Sequence, residues 1–146
     1  MAAPYARIAC FIDHDPVSEF VLAEAVALRA LSPGDLHLVH VAQTPWPIYA
    51  GFYGVVVPIE DALTAAREWL DQQAAAVPGA IPTLMEGWPP KAACEFVRTH
   101  EIDLVVAAAH RGAVERTFLG GFASYVAYHA ACSVLLVHPQ PAPESA

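Results

Sequence analysis

Short apolar runs of strand length alternate with longer amphipathic stretches along this chain, and no segment repeats. Residues 7–13 (RIACFID) form an unbroken apolar run closing on an acid, as a strand buried on both faces reads. Asp15-Pro16 then supplies a helix cap with proline at the first helical position, predicting a helix over 16–31 that stops at Ser32-Pro33-Gly34. Further strands are predicted over 35–41, 81–86, 104–109 and 133–137, with helices over 58–77, 90–100 and 121–129. Five strands alternating with four helices make one α/β domain over residues 1–138, its sheet parallel, followed by a proline-rich tail at 139–146. Right-handed crossovers place helices on both faces of such a sheet, and ligands sit beyond the carboxyl ends of its strands, where strand order reverses. Those ends carry Asp13 and His14, Val41 and Ala42, Glu86 and Gly87, and Ala109 to Gly112.

Charge and composition narrow the function. Fifteen acidic against seven basic side chains give a net charge of −8, which disfavours nucleic acid and anionic membrane surfaces as partners. A small anion still has backbone N–H groups and local charge to bind. No apolar run reaches the ~18 residues of a membrane span, and the start shows no signal-peptide core. Cys10, Cys94 and Cys132 are odd in number and widely spaced, as reduced thiols in a cytoplasmic protein are. Seven histidines include no His-x-x-x-His, and His37 and His40 alternate to opposite faces of one strand, so packed or surface imidazoles are expected rather than metal ligands.

Three stretches carry candidate chemistry. Asp13-His14-Asp15 ends the first strand; Asp15 reads as a helix cap, while Asp13 is either a ligand-facing acid or a solvated strand end. Residues 110–121 (HRGAVERTFLGG) bring His110, Arg111 and Arg116 to a helix opened by Gly120-Gly121, whose free N–H groups suit a phosphate; the alternative is a turn-rich surface loop. Residues 42–57 are apolar and too long for a simple connection, reading either as a flap or partner surface, or as a loop folded back onto its own core.

The order and spacing of IACFIDHDPVSEFVLAEAVALRA, LHLVHV, EGWPPKAACEFVRTHEIDLVVAAAH and HAACSVLLVHP resemble the universal stress protein family across residues of about 5–138. The resemblance implies a five-stranded parallel sheet of order 3-2-1-4-5 and a homodimer through the last strand, Ser133 to Val137. It also implies an ATP site, with Mg²⁺, on Phe11, Ile12, Asp13, Val41, Ala107, His110, Arg111, Gly120, Gly121 and Phe122. The family's glycine-rich phosphate loop falls on Ala107, His110, Gly120 and Gly121, so only its third glycine is kept and the hydroxyl after it is lost. A Cβ at Ala107 and His110 makes positive φ costly there. The His110 ring either compensates with Arg111 by charge or fills the phosphate site. The expected function is a dimeric stress-response binding module with weak or altered adenine-nucleotide binding, and not an enzyme. The alternatives are a non-nucleotide interaction module of the same fold and, remotely, a haloacid-dehalogenase-type phosphohydrolase using Asp13 and Asp15, which lacks the further acids and lysine such chemistry needs.

Overall fold

The computed structural model describes residues 4–43, 59–110 and 119–139. Strands β1 (Arg7–Phe11), β2 (Asp35–Ala42), β3 (Ile81–Glu86), β4 (Leu104–Ala108) and β5 (Ser133–Val137) alternate with helices α1 (Ser18–Leu31), α2 (Ile59–Ala75), α3 (Pro89–Thr99) and α4 (Gly121–His129). All strand pairs are parallel, in the order β3-β2-β1-β4-β5. The α/β class and the strand order therefore stand as expected.

Strand parity sorts the core. Ile8, Cys10, Leu36, Leu38, Leu104 and Val106 face α1 and α2, where Val21, Ala25 and Leu70 meet them. Ala9, Phe11, Val39, Val105 and Ala107 face the other way, onto Ala93, Phe96 and Val97 of α3 and Val126 of α4. Each fully buried Leu, Val or Phe contributes about 1.5–3 kcal/mol. Cys10 is wholly buried, and desolvation pushes its thiol pKa far up, so it behaves as a core apolar residue. His37 and His40 do lie on opposite faces: His37 meets Phe96 edge-on at 5.5 Å, whereas His40 meets Trp69 of α2 at 5.0 Å.

The first strand and helix depart from expectation at one place. β1 ends at Phe11 rather than at residue 13, and α1 begins at Ser18 rather than at Pro16. Side chains make the difference. Ser18 Oγ accepts the Asp13 N–H at 2.9 Å, and tight bonds from Ser18 N–H to the Asp15 carbonyl and from Glu19 N–H to the Pro16 carbonyl wind the entry turn. Asp15 does not cap α1 as expected: the N-cap is Val17, which has no side-chain cap bond, and Asp15 Oδ1 instead accepts the Val17 N–H at 3.0 Å within the preceding turn. Residues 44–58, 111–118 and 140–146 lie outside the described residues; Arg111, nearly all of the proline-rich tail and, apart from Ala42 and Gln43, the apolar segment expected at 42–57 fall there.

At the opposite edge, Asp103 accepts the Ala6 and Arg7 N–H groups at 3.0 and 3.1 Å and returns its own N–H to the Arg7 carbonyl. Gly34 packs against this same corner, where a Cβ would fall on the Ala6 carbonyl that receives the Asp35 N–H. Gly34→Ala is therefore expected to cost about 2 kcal/mol or more, read from urea unfolding, because backbone on both sides must shift. His37 supplies a pH test. Burial, then His100, holds its pKa below the usual 6.5, with Arg7 adding to this and Asp35 opposing. A depressed imidazole pKa means that the unfolded chain takes the proton first, so stability is full above 6.5 and falls as pH drops below it. Unfolding free energy should drop between about pH 7.5 and 5.5. His37→Phe should flatten that slope; an unchanged slope would remove this account.

Candidate functional site

Because all five strands run the same way, their carboxyl ends form one rim, and β1 and β4 are the neighbours at which the chain order reverses. The β1 side of this rim is a closed hydrogen-bonded turn. Asp13 Oδ1 accepts the Asp15 N–H at 2.9 Å and the Ser18 hydroxyl at 3.1 Å. The Ile12 N–H continues the sheet to the Val39 carbonyl, and the Ile12 carbonyl accepts from Nδ1 of His40 at 2.9 Å. His14 lies over this point, its ring 4.1 Å from Trp69 and 5.5 Å from His40. This His14–His40–Trp69 group caps the rim on the α2 side. Sequence reading treated its imidazoles one at a time, and their convergence depends on α2 bringing in Trp69.

The β4 side differs. Ala109 N–H bonds to the Val137 carbonyl and Gly120 N–H to the Ala109 carbonyl, both at 2.9 Å, so the chain returns to the strand end before α4 starts. The first bond within α4 runs from Ser124 N–H to the Gly120 carbonyl, which leaves the N–H groups of Gly121, Phe122 and Ala123 at the open helix start. Directly beneath is His110, 5% exposed, with neither ring nitrogen hydrogen-bonded among the described residues. The His138 ring is its aromatic neighbour, at 5.7 Å. A buried imidazole left with no partner costs about 1–3 kcal/mol. A Cβ added at Gly120 would pack at ordinary contact distance, 3.4 Å from the His110 Cα, and one added at Gly121 would meet nothing within 4 Å.

The ten residues expected at the site separate accordingly. Asp13, Val41, His110, Gly120 and Gly121 reach the rim, with Val41 paired to Met85 of β3. Phe11 and Ile12 are buried, and Phe11 packs its ring on Phe96 and Phe122 at 6.3 and 5.7 Å, so side chains at these positions build the floor and leave ligand contact to backbone. Phe122 combines the two, with its N–H at the helix start and its ring on the core. Ala107 is a mid-strand residue paired with Leu136, wholly buried one layer below the rim. Arg111 lies outside the described residues. Neither Ala107 nor His110 takes positive φ; among described non-glycine residues only Glu101 does. The backbone strain expected from a Cβ at these two positions is therefore not incurred, with Ala107 inside β4 and His110 just beyond its end.

Among the described residues no three His, Cys, Asp or Glu side chains gather to hold a metal ion, and no helix is long and apolar enough to cross a membrane.

Comparison with known proteins places this geometry in context. The universal stress protein from Synechocystis named Sll1388 is 29% identical over an alignment of 151 positions that covers 91% of this chain and 97% of the relative. Universal stress protein UspA from Lactobacillus plantarum superposes with a TM-score of 0.68 at 22% identity, covering 91% of this chain and 97% of its own. A universal stress protein solved in complex with cAMP gives 0.62 at 22% identity over 94% of this chain and 98% of that one. The model of the universal stress protein family matches residues 4–138, and with the sheet order and rim described above, the chain belongs to that family.

Proposed function

We propose that this chain is a dimeric stress-response binding module that takes an adenine nucleotide at the β1–β4 rim, with its phosphate on the α4 helix start. The observation that carries the reading is the His110 imidazole, buried with both nitrogens unbonded among the described residues beside three open helix N–H groups. An oriented donor cluster of this kind suits a phosphate, and the helix dipole adds favourable potential for negative charge. A relative solved with cAMP supports the nucleotide class. Mg²⁺ enters in this reading as the counter-ion of a bound ATP, since the described residues gather no cation site of their own.

The reading is binding and regulation rather than turnover. Oδ1 of Asp13 and Oδ1 of Asp15 each hold an N–H of their own turn, an arrangement that serves the fold and lends no support to a phosphohydrolase pair. Dimerisation rests on β5, which has a sheet neighbour on one side only and presents half-buried Val134, Leu135 and Leu136. An apolar edge of this kind pairs with a second copy unless something else covers it.

Isothermal titration with ATP, AMP and cAMP in the presence of Mg²⁺ tests the nucleotide. Binding is expected for at least one of them. His110→Ala should weaken it about 10-fold, while His110→Gln, which keeps a donor, should retain most of it. Gly121→Ser, entering open space, should strengthen it about 3- to 10-fold by adding a hydroxyl at the helix start. No heat with any of the three, and no nucleotide carried through purification, overturns the assignment. Light scattering should give twice the chain mass; a monomer at about 100 μM would remove the β5 pairing.

A further inference from the structure

Between α3 and α4 lies an open cavity of about 230 Å³. Lys91, Cys94, Glu95 and Arg98 line it from α3, and Tyr125 and His129 from α4. The α3 residues follow helical spacing, so one ridge presents Lys91 and Arg98 about 10 Å apart with Cys94 between them. Opposite stands an aromatic wall: Tyr125 lies 4.2 Å from the His129 ring and meets the exposed Trp88 edge-on at 5.0 Å.

Charge singles this groove out on an acidic protein. Among the described cations, Arg7 pairs with Glu101, Arg29 donates to the Pro78 carbonyl, and Arg67 shares its hollow with Glu68 and Glu86. Lys91 and Arg98 instead share one groove with a single carboxylate, Glu95, and make no ion pair within 4 Å among the described residues. Burial raises the Cys94 thiol pKa and Arg98 draws it back only in part, so the thiol is a neutral floor and leaves the groove net positive. Beyond the first turn of α3 the helix backbone here is bonded internally, so side chains dominate recognition. A planar guanidinium fork beside an aromatic wall fits a carboxylate carried on a flat ring. The volume lies below the ~300 Å³ at which drug-sized pockets begin, which limits the occupant to a small molecule.

We propose that the α3–α4 groove is a second ligand site, taking a small aromatic carboxylate whose anionic end meets Arg98 and Lys91 and whose ring lies on Tyr125 and His129. This site shares no residue with the nucleotide rim, so either assignment can fail alone.

Amide and side-chain NMR shifts of the full chain, titrated with benzoate and phenylacetate, test it. Both are expected to move Tyr125, His129 and the Trp88 indole N–H while leaving Gly120 and Gly121 in place. Benzamide, the neutral isostere, should bind at least 10-fold more weakly, and Arg98→Gln and Lys91→Gln should each cost about 10-fold while the rest of the spectrum stays folded. Three results overturn the proposal: no shift at Tyr125 or His129 by about 10 mM of either carboxylate, equal binding of benzamide, or equal shifts with inorganic phosphate, which would mark a non-specific counter-ion effect only.

Discussion

Everything in this molecule follows from burying β1 on both faces. Ile8, Ala9 and Cys10 are inaccessible to solvent, and their backbone is paired to β2 on one side and to β4 on the other. A central strand of this kind requires helices above and below, and only right-handed crossovers in two directions supply them, α1 and α2 on one face and α3 and α4 on the other. The same requirement sends the chain outward to β2 and β3, then back across to β4 and β5. The rim between β1 and β4 is thus a by-product of covering one strand, and it is the switch point at which open sheets of this kind leave a crevice.

The two banks of that crevice are chemically unequal. On the β1 bank, Asp13, Asp15, Ser18 and His40 each hold backbone or hydroxyl partners, so that turn is complete in itself. On the β4 bank, a buried imidazole and a helix start face each other with donor capacity that the described protein groups do not take up. Fold stability accounts for the first bank. Among the described residues it does not account for the second, and the proposed nucleotide phosphate would supply the acceptor.

How much of this was legible in the sequence depends on how far each feature reaches. The strands were, because unbroken apolar runs such as IACF and LVVAA are what two-sided burial demands. The opposite facing of His37 and His40 followed from parity alone. Strand order came from family resemblance, since periodicity says nothing about which strands are neighbours. The residues between Phe11 and Ser18 depart from the sequence pattern because Ser18 Oγ and Asp13 Oδ1 compete with strand and helix for the same backbone N–H groups, and hydrophobic periodicity does not weigh side-chain bonds of that reach. In the sequence His110 reads as a charge or an obstruction; its burial without a partner among the described residues depends on the α4 return through Gly120, which no local window contains.

A single helix, α4, joins the two proposed sites by different means. Its first turn offers backbone N–H groups at the rim, where a helix dipole is positive and side chains are small, Gly121 and Ala123 among them. Its later turns present Tyr125 and His129 outward, where the backbone is internally bonded and only side chains can recognise anything. The glycine that begins the helix and the aromatic pair that follows it are thus answers to one constraint. Backbone groups are available for binding only at a helix end, so a helix that meets ligand along its flank must do so with rings and charges. On a chain of net charge −8, the flank that faces Lys91 and Arg98 is where an organic anion finds the described cations least matched by carboxylates.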